Sequence, residues 1–154
     1  MQTIDTILVH APVERVWPHA FQVEQWPAIL PHYRWVRRLR GETGADGMVE
    51  MSAWRRFGGP LNWPTWWQSE MSIDHRLHRV RYRHVKGITT GMDVLWTVDQ
   101  VADGTRIVIV HEWPGPRWPL IGGIAANLVI GPVFIHAIAS RTLAGIASAA
   151  GSGE

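Results

Sequence analysis

MDVLWTVDQVADGTRIVIVHEW, residues 92 to 113, decides how this chain folds. Apolar and polar side chains alternate through Met92, Val94, Trp96 and Val98, and again from Thr105 to Trp113, and alternation at period two marks a half-buried strand. Asp103-Gly104 between the runs is a tight-turn pair, so the stretch predicts an antiparallel hairpin. Turning Val94, Trp96 and Val98 inward leaves Asp93, Thr97 and Asp99 in water. On the second strand the same parity turns Ile107, Ile109, His111 and Trp113 inward.

The period continues upstream. Turn residues at 41–47, 58–60, 74–77, 86–91 and 102–104 divide Tyr33 to Trp113 into six strands joined by short connections, which implies an antiparallel meander. In WWQSEMSI, residues 66–73, parity turns Trp67, Ser69, Met71 and Ile73 inward and Trp66 outward, and Trp63 is placed at the mouth beside the 58–60 turn. Arg79, Arg81 and Arg83 alternate with Val80, Tyr82 and His84 and project from the outer face. Ile4 to His10 reads as a first strand. Pro12 opens a helix whose Val13, Val16, Trp17 and Ala20 recur at helical spacing, with Pro18 limiting or kinking it. A second helical turn spans Val23 to Trp26, and Pro27 and Pro31 break the chain beyond it.

Downstream, the segment LIGGIAANLVIGPVFIHAIASRTLAGIASAA predicts a helix over 120–149, bent at Gly131-Pro132. Residues 119–140 carry no formal charge, but glycines and prolines interrupt the run and no basic cluster flanks it, so a helix covered by the sheet is expected and not a transmembrane span. Residues 1–150 are read as a single domain, and GSGE, 151–154, as a disordered tail.

Composition narrows the chemistry. The 154 residues are 46% apolar, enough for one domain with a core. Cysteine is absent, which excludes disulfides, thiolate catalysis and sulfur-bound zinc. Asp5 and Glu14 in the first twenty residues do not fit a signal peptide, and a cytoplasmic location is expected. A net charge of +2 is too mild to imply nucleic acid, although the arginines cluster at 34–40, 55–56 and 76–83. Eight histidines include no H-E-x-x-H pairing, so no metal site is expected, and no nucleophile elbow or phosphate loop is present.

The motifs Ala11-Pro12-Val13-Glu14-Arg15-Val16-Trp17, EQWPAILPHY (24–33), WWQSEM (66–71), MDVLWTV (92–98), DGTRIVIVHEW (103–113) and IGPVFIHAIASRTLAGI (130–146), in this order, resemble the polyketide cyclase/dehydrase branch of the START/birch-allergen-like (SRPBCC) superfamily. The resemblance covers nearly the whole chain. It implies an α+β helix-grip fold: a seven-stranded antiparallel sheet wrapped around a long C-terminal helix, with two short helices after the first strand and a cavity between sheet and helix. It implies a bacterial-type protein that binds a hydrophobic, aromatic or polyketide-like molecule without cofactor, as a cyclase/dehydrase or, alternatively, as a non-catalytic lipid or quinone carrier like the coenzyme Q-binding relatives. An adaptor using its arginine face is a third reading.

Tyr33 matches a tyrosine that handles enol and proton steps in aromatase/cyclase relatives, while their cavity arginine falls at Met71, whose thioether cannot stabilise an enolate. A cation would come from elsewhere, with Arg55 on the third strand the parity-compatible candidate, or else a solvated rim residue. His111 is either an acid/base group or a satisfied core histidine. Trp26, Trp67, Ser69, Met71, Tyr82, Val94, Trp96, Ile109, Trp113 and His136 are the expected ligand contacts, with His84 a weaker acid/base candidate. The outward arginines of the fifth strand suit a solvated face or an acidic acyl carrier protein. The chain is expected to be a monomer or homodimer.

Overall fold

A computed structural model describes residues 1–56, 62–115 and 135–151. The elements run β1 (Gln2–Val9), α1 (Val13–Phe21), a 3-10 turn (Val23–Gln25), α2 (Trp26–Ile29), β2 (Tyr33–Arg40), β3 (Gly47–Arg56), β4 (Asn62–Asp74), β5 (Arg79–Gly87), β6 (Asp93–Val101), β7 (Gly104–Glu112) and α3 (His136–Gly151). The strands form one antiparallel sheet in the order β1-β7-β6-β5-β4-β3-β2. This is the expected seven-stranded sheet. The meander needs only short turns, and β1 returns to pair with β7, from Gln2 against Glu112 to Val9 against Thr105.

Spacing explains why these residues cover the sheet. Val13, Val16, Trp17 and Ala20 share one side of α1 and are buried. Pro18 lies inside α1 without ending it, and Pro27 sits in the first turn of α2, where a missing N–H leaves no helical bond unmade. The chain therefore does not break at Pro27 as expected but continues as helix to Ile29. On α3 the buried residues Ala139, Thr142, Leu143, Ile146 and Ala150 recur at intervals of three and four, and the helix packs against β1 and α1. Arg15 pins its end, donating to the Ala150 carbonyl at 2.5 Å.

The predicted helix over 120–149 is found from His136, and it runs through Gly151, one residue into the expected tail. Residues 120–134, with the Gly131-Pro132 bend, lie outside the described residues, as do the 58–60 turn and residues 152–154. Among the described residues no helix is long and apolar enough to cross a membrane.

Two strands depart from simple alternation. β2 carries register shifts between Tyr33 and Trp35 and between Arg38 and Arg40, and β5 carries one between His84 and Lys86, opposite Ser69 and Gln68 of β4. Each changes which side chains face the core, because one extra residue reverses strand parity.

Candidate functional site

The inner faces of β2 to β7, with α2 and the buried side of α3, line a cavity of about 70 Å³. Its wall starts from an arc of rings. Trp96 on β6 lies against Trp26 of α2 at 5.5 Å between centroids, Trp26 against Tyr33 at 5.0 Å, and Tyr33 meets Trp67 edge-on at 6.3 Å. Trp67 then stacks on His84 of β5 at 5.9 Å and 11°. The Trp26 indole is oriented by donating to the His19 carbonyl at 2.8 Å. Met51, Met92, Val94, Ile109, Ile135, Ile138 and Ala139 supply apolar wall, and Tyr82, Thr89, His111 and Thr142 supply the remaining polar groups.

The Trp67–His84 stack depends on the backbone beneath it. Trp67 pairs with Gly87 and Ser69 with His84, so the register shift after Gln68 skips one residue of β5 and brings His84 under the indole. Gly87 adopts φ +98°, a left-handed conformation that favours glycine.

The polar groups are neutral near pH 7. Burial pushes His84 down to about 3, with His111 nearby adding to the effect, and its Nδ1 sits 2.6 Å from the Thr89 hydroxyl. Burial alone lowers His111 to about 4, and its Nδ1 lies 3.3 Å from Thr3 Oγ1. The expectation that His111 exchanges protons near neutrality meets this shift, which leaves it a neutral imidazole and a weak base. Burial raises the Tyr33 phenol well above the ordinary range, partly offset by Thr142 beside it. His32, unnoticed in the sequence, is lowered to about 4 by burial and the charge of Arg141, and bonds Thr142 Oγ1 at 3.0 Å.

Tyr33, Trp26, Trp67, Tyr82, Val94, Trp96, Ile109 and His111 thus meet at one cavity. Ser69 and Met71 are buried on the same sheet face but lie off its wall. Trp113 is buried too, with its indole nitrogen donating to the Thr90 carbonyl at 3.1 Å. His136 does not reach the cavity. It opens α3 on the side facing β1, with its imidazole 67% exposed and paired with the buried carboxylate of Asp5. The side chain of Arg55 lies outside the described residues; its backbone pairs with Trp63.

Among the described residues, the cation that reaches Met71 is one the sequence reading missed. Arg38 reaches inward from β2, ion-paired with Glu24, and its guanidinium donates to the Met71 sulfur at 4.0 Å. Burial pushes the Glu24 carboxyl up, but the hydrogen bond and charge of Arg38 outweigh it, and the group ends below its ordinary value. The neighbouring arginines stay outside, Arg34 over the Trp54 ring and Arg37 over Trp35, each at 4.6 Å. On the outer face of β5, Arg79 and Arg83 pair with Asp99 and Asp93, and Arg81 has no carboxylate partner among the described residues.

The profile of proteins described as "Polyketide cyclase / dehydrase and lipid transport" matches residues 3–150. The chain belongs to this family. Within the polyketide cyclase/dehydrase family it is 30% identical to a putative polyketide cyclase of Streptomyces cyaneus over 108 residues, 68% of this chain and 67% of that protein. It is 25% identical to the actinorhodin polyketide synthase bifunctional cyclase/dehydratase of Streptomyces coelicolor over 114 residues, 73% of this chain. The match spans only 34% of that longer relative. The crystal structure of the Zhui aromatase/cyclase from Streptomyces sp. R1128 superimposes with a TM-score of 0.77 at 19% identity, covering 98% of this chain and 93% of the other. That likeness shows the helix-grip fold.

Proposed function

We propose that this polyketide cyclase/dehydrase family member binds an apolar, aromatic or polyketide-like molecule against the arc formed by Trp96, Trp26, Tyr33 and Trp67. The observation that carries the reading is that arc, set along a cavity whose described wall holds no formally charged side chain. Ring faces offer large contact area at little entropic cost. At about 70 Å³ the cavity is far smaller than the roughly 300 Å³ at which ordinary small-molecule pockets begin, so the occupant displaces side chains on entering. Met51 and Met92, unbranched and adaptable, are the wall residues suited to move.

Cyclisation or dehydration by this site would use Tyr33 and His111, two of the groups on the wall able to hold or pass a proton. A second reading, a carrier of a lipid or quinone, is favoured by Met71 and by Arg38. The thioether supplies no charge, and the nearest guanidinium is already held by Glu24. An acidic acyl carrier protein would find Arg81 available on β5, since Arg79 and Arg83 are already paired.

Trp67→Ala and Trp96→Ala are each expected to weaken binding of an aromatic ligand by about 1 to 3 kcal/mol, read by quenching of tryptophan fluorescence. Unchanged affinity in both variants, with folding intact, would make these rings core alone. To separate enzyme from carrier, the protein is supplied to a polyketide synthase lacking its own cyclase. Regiospecific cyclised product establishes the enzyme, and binding without a change in products establishes the carrier.

A further inference from the structure

We propose that Tyr82 selects the cavity's occupant by donating a hydrogen bond to a neutral acceptor oxygen, a ketone carbonyl, on an otherwise apolar ring system. The same rings carrying a carboxylate are excluded. This rests on the ligand-cavity reading above and adds to it the chemical class of the ligand and the residue that enforces it.

Tyr82 stands inward on β5, opposite Met71 of β4 and Val94 of β6, and its side chain lines the cavity. Its hydroxyl is buried and has no hydrogen-bond partner among the described residues. A buried hydroxyl left unpaired is unfavourable, so an occupant that brings an acceptor oxygen to it satisfies that donor. The other hydroxyls and the imidazoles on the wall already have partners: Thr142 stands beside Tyr33, Thr89 bonds His84, and Thr3 bonds His111. Burial, with Tyr33 and Glu24 nearby, outweighs the opposing charge of Arg38 and holds the Tyr82 phenol protonated, which makes it a donor.

Charge sets the second half of the selection. The described wall carries no cation, and the Arg38 guanidinium behind it is committed to Glu24. A carboxylate would enter without a counter-ion, and burying an unpaired charge is far costlier than burying a ketone.

The test compares three ligands on one ring frame by calorimetry: 1-tetralone, tetralin, and tetralin-1-carboxylate. Wild-type protein is expected to bind the ketone about tenfold or more tightly than the hydrocarbon, and the carboxylate most weakly. Tyr82→Phe should lower the ketone to the level of the hydrocarbon, whose own affinity stays within about twofold, while thermal unfolding confirms that the variant folds. Tyr33→Phe should keep the preference. The proposal is overturned if wild type binds ketone and hydrocarbon alike, if the carboxylate binds as well as the ketone, if Tyr82→Phe keeps the preference, or if Tyr33→Phe abolishes it. Failure of all three probes to bind folded protein removes the ligand-cavity reading itself, a result distinct from loss of selectivity.

Discussion

Bringing the pH from 7 to 5 is expected to cost the fold about 2 kcal/mol for each of His32, His84 and His111, together on the order of a small domain's whole stability. The folded-state values, about 4, 3 and 4, lie below the ordinary 6.5, mainly because burial penalises the charged ring. As the pH falls below 6.5 the unfolded chain therefore takes up protons that the folded chain refuses. Stability from these groups is complete above about 6.5 and is lost down towards 4 and 3. Half-buried His19, also lowered by burial, acts in the same direction. Urea unfolding at pH 7, 6 and 5 reads the slope, and His84→Gln, which does not titrate, should remove that residue's share. A midpoint that does not move between pH 7 and 5 would mean that the three rings are hydrated and titrate normally.

Gly87→Ala is expected to destabilise the protein by about 2 to 4 kcal/mol, combining the left-handed backbone penalty with a steric conflict. An added Cβ would stand 2.3 Å from the Trp66 carbonyl oxygen and 2.7 Å from the Trp67 Cα, both main-chain atoms of β4 that cannot turn aside. Relief requires the β4–β5 pairing to open where Trp67 stacks on His84, so ligand binding should fall along with stability. Urea midpoints of the two proteins check it. A difference within about 0.5 kcal/mol, the range of an ordinary surface substitution, would show that the hairpin absorbs the methyl group.

Most of the sheet was legible because a strand's period is two, and one correctly oriented residue orients the rest. Trp96 placed inward fixes Val94 and Val98, and the hairpin partner then places Ile109. That logic fails at a bulge. β2 begins with Tyr33 inside and, after the shift before Trp35, puts Arg38 on the same side. No alternation rule applied from Tyr33 finds that arginine. The helix was harder for a different reason. Alanine, isoleucine and glycine occur around its whole circumference, so its phase is weakly marked and His136 was assigned to the wrong side. One signal was available: Ile135, Ile138, Ala139, Thr142 and Ile146 form a stripe at helical spacing. Thr142 is the only polar residue in that stripe, and it is the one that meets His32.

The sheet does not close into a barrel: β1 and β2 lie at its two ends. An outermost strand with free amides and carbonyls invites another chain to extend the sheet, which is how soluble proteins begin to aggregate. β2 carries Arg34, Arg37 and Arg40 and two bulges along eight residues. A second copy approaching that rim would meet like charges and a kinked backbone whose hydrogen-bonding groups do not fall into register. The irregularities that hid Arg38 from a reading by parity therefore also protect the protein in concentrated solution.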